Sequence, residues 1–171
     1  TTLGSNCYNS MFKECYRLTE LPDNMLPATV MKTYCYQDMF SGCSYLKTAP
    51  NLLAETLADS CYSGMFYNCT ALVNVQSVLP ATSLSNNCYE WMFCGCKSLQ
   101  KAPTLPATTL TNGCYYYMFY LCTSLRYIKC LATYTGASVC TTNWVGNIFT
   151  TGTFETPSGA AWTVSTNGIP S

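Results

Sequence analysis

One motif, Cys-Tyr-x-x-Met-Phe-x-x-Cys-x-x-Leu, occurs five times in this chain and constrains its fold more than any other feature. Successive copies are offset by 28, 26, 27 and 26 residues, and their six fixed residues align without gaps. Self-similarity at a fixed period of roughly 20–50 residues predicts a repeat architecture, in which each unit buries its apolar face against its neighbours. The copies begin at Cys7, Cys35, Cys61, Cys88 and Cys114.

The regions between the motifs complete the repeat and show where it stops. A second marker, Leu-Pro-Ala-Thr, begins at Leu26, Leu79 and Leu105. A degenerate sixth copy starts at Cys140 and carries Trp144-Val145 in place of Met-Phe, which is typical of a repeat that caps an array. We predict a repeat domain over residues 1–152, with units near 1–25, 26–52, 53–78, 79–104, 105–130 and 131–152, followed by a C-terminal cap or tail over 153–171.

The spacing within each motif predicts a short helix. Cys, Met, Cys and Leu lie at i, i+4, i+8 and i+11, which places them on one helical face, and Tyr and Phe widen that face. The segment after the helix runs into proline at 22, 50 and 103, which predicts strands of only a few residues. The expected fold is an α/β solenoid, a right-handed superhelix with short parallel strands on its concave face and short helices on its convex face.

The repeat also resembles a known family. Met39-Phe40-Ser-Gly-Cys43-Ser-Tyr-Leu46 and Met92-Phe93-Cys-Gly-Cys96-Lys-Ser-Leu99 are similar to the BspA-like leucine-rich repeats, in the Cys-Tyr/Met-Phe variant of gut Bacteroidetes and their phages. The resemblance covers essentially all of the chain. It implies a leucine-rich-repeat fold and a surface-exposed or secreted binding protein that takes part in adhesion or host contact. The family has no catalytic or cofactor residues to carry over.

Charge and hydropathy exclude several classes of partner. Only 9% of the 171 residues are charged, the formal net charge is zero and there is no histidine. A neutral chain lacks the field that attracts nucleic acid or anionic membranes, so we expect neither as a partner. No stretch reaches the ~20 apolar residues of a membrane-spanning helix. We also expect no signal peptide, because no basic segment precedes an apolar run.

The thirteen cysteines allow three interpretations. Structural zinc sites need closely spaced ligand pairs, whereas the paired cysteines here lie eight residues apart and histidine is absent. Two cysteines eight apart on a helix would be about 12 Å apart, too far for a disulfide within one repeat. We favour a ladder of free, buried thiols, since cysteine behaves as a small apolar side chain. This core ladder comprises Cys7, Cys15, Cys35, Cys43, Cys61, Cys69, Cys88, Cys96, Cys114 and Cys122.

Residues that do not repeat are the candidates for ligand binding. In the last two units the variable positions become aromatic, at Trp91, Tyr116, Tyr117 and Tyr120, and such side chains suit recognition surfaces. The alternative is that these rings pack against the next repeat or the tail. On the strand side, Lys101 and Tyr127 are expected to point into the concave face, where solenoids usually bind.

These observations favour a non-enzymatic adhesion or binding module, extracellular or on a cell surface, that recognises a protein or glycan on a host or neighbouring cell. The alternative is a structural subunit of an extracellular fibre or virion appendage that assembles end to end. An enzyme is disfavoured because no histidine is present and the carboxylates never recur as a pair at one repeat position. We expect no cofactor and no metal.

Overall fold

The predicted α/β solenoid is wrong, because the motif does not form helices. A computed structural model of the chain describes residues 3–22, 24–133 and 139–169. No α-helix occurs within these ranges, so no helix that could cross a membrane is found there either. Two strands are present, β1 (Tyr127–Lys129) and β2 (Thr153–Glu155), which pair in parallel. The expected convex layer of helices is therefore absent from the described residues, as is a continuous concave sheet.

Each motif instead forms a chain of overlapping turns, which we call the turn segment. In the second repeat it covers residues 34–43, where Met39 N–H donates to Tyr36 C=O at 3.3 Å and Ser41 N–H donates to Asp38 C=O at 3.0 Å. Each such bond spans three residues, and a new turn begins every second residue. The equivalent turn segments are residues 6–15, 60–69, 87–96 and 113–122.

Every fourth residue of a turn segment has a positive φ angle, and in the first segment Tyr8 has one as well. In the second repeat these residues are Tyr34, Asp38 and Gly42, with φ angles of 59°, 51° and 77°. This left-handed conformation is easy for glycine and tolerated by Asn and Asp, but it costs other residues about 1–2 kcal/mol. Most of the positions accordingly hold those three residue types, at Asn6, Asp38, Gly42, Gly64, Asn68, Asn87, Gly95, Gly113, Asn143 and Asn147.

Hydrogen bonds between repeats use the backbone groups that the turns leave free. Tyr36 N–H donates to Cys61 C=O at 2.9 Å, and Phe40 N–H donates to Met65 C=O at 2.9 Å. Between turn segments the same pattern joins every adjacent pair from the first to the sixth repeat, with the N–H on the earlier repeat and the C=O on the later one. Half of the peptide groups in a turn segment therefore point along the axis of the stack.

Aromatic side chains form two columns through the stacked repeats. Successive phenylalanine rings from Phe12 to Phe119 have centroids 5.6–5.7 Å apart and nearly parallel planes. A second column runs from Tyr8 to Tyr115 with spacings of 5.8–6.3 Å. Because each ring is covered on both sides by its neighbours, Tyr62, Phe66, Tyr89 and Phe93 are all buried. These columns and the surrounding Met, Cys and Leu side chains are the hydrophobic core.

The other side of each repeat is extended but barely paired. Isolated parallel bridges join Thr48 to Asn74 and Lys101 to Tyr127. Among the described residues, only the last pair of repeats extends such pairing into strands, β1 and β2. Prolines beside these segments remove backbone donors and keep the pairing short. Parts of the predicted first and sixth units, residues 1–2, 23 and 134–138, and residues 170–171 of the tail lie outside the described residues.

Candidate functional site

A groove of about 580 Å³ runs across the turn segments of the first four repeats. It exists because repeats two and three carry small or polar residues where later repeats carry large aromatic ones: Ser63-Gly64 aligns with Glu90-Trp91. The ring of Trp91 closes one end of the groove, beside Tyr67. The polar side chains along it include Lys13, Glu14, Gln37, Asp38, Asn68 and Glu90.

Trp91 is the centre of an aromatic cluster formed by Tyr67, Trp91, Tyr116, Tyr117 and Tyr120. The indole stacks on Tyr117 with centroids 4.4 Å apart and planes 11° apart. Its edges contact Tyr67 at 6.1 Å and Tyr116 at 5.9 Å, and Tyr120 extends the cluster through Tyr117 at 5.0 Å. All five side chains are half-buried. The rings therefore hold one another in place and leave part of their surface to solvent, as a preformed binding platform requires.

Trp91 and Tyr117 occupy a left-handed position that disfavours bulky residues. Their φ angles are 56° and 52°, whereas the equivalent positions in repeats two and three hold Asp38 and Gly64. An aromatic residue in this conformation costs about 1–2 kcal/mol relative to one that adopts it freely. The stacking of the two rings returns about 0.5–1.5 kcal/mol. Because both residues carry that cost, the stacking contact alone does not offset it.

Glu90 places a carboxylate beside the indole, at the wall of the groove. Trp91 Nε1 donates a hydrogen bond to Glu90 Oε1 at 3.2 Å, and the Ser63 hydroxyl also bonds the carboxylate. Burial raises the pKa of Glu90, because a half-buried carboxylate loses part of its hydration, and the two hydrogen bonds oppose that shift. The carboxyl oxygens can accept hydrogen bonds from a ligand's hydroxyls, while the hydrogen bond from Trp91 holds the Glu90 side chain in place.

The groove carries an excess of negative charge. Three carboxylates, Glu14, Asp38 and Glu90, lie along it against the single ammonium of Lys13. Lys13 Nζ already pairs with Asp38 Oδ2 at 3.4 Å. An acidic ligand would meet uncompensated carboxylates, so the arrangement disfavours an acidic ligand.

The predicted ligand-binding residues fall into two separate groups. Trp91, Tyr116, Tyr117 and Tyr120 lie together in the aromatic cluster. Lys101 and Tyr127 lie on the extended side of the repeats, where Lys101 Nζ is 4.8 Å from the Tyr127 ring centroid. A hydrogen bond to Glu155 is the main cause of the raised pKa of Tyr127, and Lys129 pairs with Glu155 at 3.2 Å. Lys101 and Tyr127 thus interact with neighbouring side chains, and neither residue lines the groove.

All thirteen cysteines are free thiols. Those at the second Cys of the motif bond to the preceding repeat: Cys69 Sγ lies 3.1 Å from Phe40 O, and Cys122 Sγ lies 3.0 Å from Phe93 O. Of the ten in the predicted ladder, eight are buried, Cys7 is half-buried and Cys15 is exposed. Cys94, outside that ladder, is buried as well. Across the described ranges, no group of three or more His, Cys, Asp or Glu side chains could hold a metal ion.

Sequence reasoning missed two members of the site, Tyr67 and Glu90. Both occupy variable positions of the motif, but neither follows from composition, because their role depends on which repeat lies beside them. The run of small residues at Ser41-Gly42 and Ser63-Gly64 was the available signal, since it leaves room next to the aromatic repeats.

Comparisons with protein-family models, curated proteins and solved structures found no match to this chain.

Proposed function

We propose that the protein is a non-enzymatic binding module that recognises a neutral glycan in the groove, with the aromatic cluster as the platform for a sugar ring. Glycan recognition needs flat apolar rings for the faces of sugars and fixed polar groups for their hydroxyls. Trp91 and Tyr67 supply the first, and Glu90, Gln37 and Asn68 supply the second. The excess of carboxylates is the reason for naming a neutral glycan rather than an acidic one.

The observation that carries this proposal is the left-handed conformation of Trp91 and Tyr117. Bulky residues in this conformation persist where the surrounding structure holds them, and they concentrate at functional sites. Asn or Gly at these positions would relieve the strain, as Asn143 and Gly64 show at the equivalent places in other repeats. A binding role gives a reason for an aromatic pair where the fold itself prefers small residues.

Other features support a binding role over catalysis. The chain has no histidine, and burial raises the pKa of thiols such as Cys61 and Cys94, both to about 12, which makes them poor nucleophiles. The resemblance of the motif to BspA-like surface proteins supports a place outside the cell, secreted, on a cell surface or on a virion. We propose both a relationship to that family and a location outside the cell.

A glycan array tests the proposal with the intact chain and two variants. Trp91→Asn removes the indole but suits the left-handed position, so we expect it to lose binding without a lower midpoint of unfolding. Tyr45→Asn is the matched control, because Tyr45 is 63% exposed and does not line the groove. Neutral-glycan binding by the intact chain and by Tyr45→Asn, but not by Trp91→Asn, is the expected result. Equal binding by all three proteins would exclude the groove as the site.

A structural subunit is the second candidate. The observation in its favour is the exposure of motif residues in the first repeat, where Tyr8 is 48% exposed and Met11 is 57% exposed. Assembly through that end would cover them. Sedimentation velocity over a range of concentrations tests it, with concentration-dependent oligomers expected of a structural subunit and a monomer of a binding module.

A further inference from the structure

The outer edge of the first turn segment presents a row of free backbone acceptors. The carbonyl oxygens of Asn9, Met11 and Lys13 accept no backbone hydrogen bond from any residue that the structure describes. In the second repeat the corresponding row is occupied: Gln37, Met39 and Ser41 each accept a bond, from Ser10, Phe12 and Glu14 at 2.7–2.9 Å. The first repeat thus displays the acceptor side of a pattern that is filled at every later junction.

Side chains on this edge show the same incompleteness. Tyr8 is 48% exposed and Met11 57% exposed, whereas their counterparts Tyr36 and Met39 are each 2% exposed. An apolar pocket of about 150 Å³ lies beside them, lined in part by Leu3, Phe12 and Met25. The two aromatic columns therefore end here on open ring faces.

The polarity of the hydrogen bonds restricts what can cover the edge. Aligned carbonyls carry partial negative charge, as at the C-terminus of a helix, and they need N–H donors opposite them. The same edge of a second copy would bring acceptors against acceptors. The far end of a second copy is closed, because Trp162 stacks on Trp144 at 5.5 Å and Val145 N–H bonds Thr166 C=O at 3.3 Å.

We propose that this edge is a docking surface for a further repeat of the same kind, which presents a row of backbone N–H groups together with the Tyr and Phe rings of a turn segment. Each existing junction shows the required complement: up to five N–H groups of one turn segment bond the carbonyls of the next, and the rings stack at about 6 Å. The surface is distinct from the groove, and this inference does not depend on glycan binding.

The test supplies such a repeat and measures whether it covers Met11. A copy of residues 35–60 is inserted directly before Cys7, so that the new first cysteine lies 26 residues upstream, as in two native junctions. The matched control carries the same insertion with Tyr36→Asp and Phe40→Asp in the inserted copy only. The measurement is the rate of methionine oxidation by hydrogen peroxide, followed by mass spectrometry of the peptide that contains Met11.

Docking predicts that the oxidation rate of Met11 falls to that of Met39 in the unmodified chain, while the control insertion leaves it fast. Slow oxidation of buried Met65 in every variant reports that the stack is folded. If Met65 oxidises rapidly in the insertion variant, a copy of residues 61–87 is inserted in place of the copy of residues 35–60. Fast oxidation of Met11 in a folded insertion variant would overturn the proposal. So would a dimer of the unmodified chain that Tyr8→Asp abolishes, because a second copy would then occupy the edge.

Discussion

The indole of Trp144 stacks on the phenol ring of Tyr115, with centroids 5.9 Å apart and planes 18° apart. The same indole contacts Phe119 at 6.2 Å, so one side chain ends both aromatic columns. It is fully buried, and its Nε1 donates to Gly168 C=O at 2.8 Å. A degenerate repeat with Trp144-Val145 in place of Met-Phe thus closes the C-terminal end of the stack.

Truncation of the Trp144 side chain should destabilise the fold strongly. We expect Trp144→Ala to lower the free energy of unfolding by about 3–5 kcal/mol, as is usual when a buried Trp is truncated. Tyr8→Ala, at the exposed end of the tyrosine column, should cost much less because its ring is only partly covered. Urea denaturation followed by circular dichroism measures both, and similar losses would contradict the role assigned to Trp144.

Glycine at a left-handed position should also be hard to replace. Gly95 has φ 74°, and a Cβ atom there would meet Oδ1 of Asn68 on the preceding repeat. We expect Gly95→Ala to destabilise the protein by at least about 1 kcal/mol. Gly4→Ala should be nearly neutral, since its φ is outside the left-handed region and the nearest atom, Cys7 Sγ, is 3.5 Å away. The double variant Gly95→Ala/Asn68→Gly should recover the part of the loss due to the contact, and no recovery would show that backbone strain alone is responsible.

The positions of buried side chains can be read from the sequence, but their conformation cannot be read from spacing alone. A helix has 3.6 residues per turn, so residues four apart share a face with a drift of only about 40°. A chain of turns with a four-residue period buries the same pairs, such as Cys35-Tyr36 and Met39-Phe40. The residues between these pairs distinguish the two folds. Gly42 and Gly64 would each cost a helix about 1 kcal/mol, whereas both occupy left-handed positions of the turn segments, which favour glycine.

The candidate site was only partly predictable for a related reason. Trp91 and Tyr117 stand out as aromatic residues in variable positions of the motif. The contact of Trp91 with Tyr67, and its hydrogen bond to Glu90, depend on how one repeat is registered against the next. Spacing within a single motif carries no information on that register. Lys101 and Tyr127 were grouped with the aromatic residues because the predicted fold assigned them to a binding face.

Thiol reactivity should distinguish the ends of the stack. Cys15 is exposed and Cys7 half-buried, whereas the other eleven thiols are buried. Brief treatment of the native protein with iodoacetamide at pH 8 should therefore label Cys15 first and Cys7 next, with the remaining cysteines labelled only after denaturation. Peptide mass spectrometry gives the order. Rapid native labelling of Cys69 or Cys96 would contradict the stacked core.

Alkaline pH should destabilise the fold. Burial raises the pKa of Cys43 and Cys130 to about 11 and that of Cys61 and Cys114 to about 12, against 9.0 for a free thiol. Above pH 9 the unfolded chain loses thiol protons that the folded chain retains, so stability falls as pH rises. Each such thiol contributes a slope of up to about 1.4 kcal/mol per pH unit. Urea midpoints should be constant from pH 7 to 8 and decline from pH 9 to 11; a flat profile to pH 11 would contradict the burial of these thiols.

The most direct test of glycan recognition uses the three tryptophan side chains as reporters. Trp91 lies in the groove, whereas Trp144 and Trp162 lie together in the C-terminal cap. Their indole N–H groups give separate signals in a nitrogen–proton correlation spectrum and can be assigned with single Trp→Phe variants. On titration with a panel of neutral oligosaccharides, glycan binding in the groove should shift the Trp91 signal while the two cap signals stay in place. No shift at Trp91 with any oligosaccharide, or shifts confined to the cap, would contradict it.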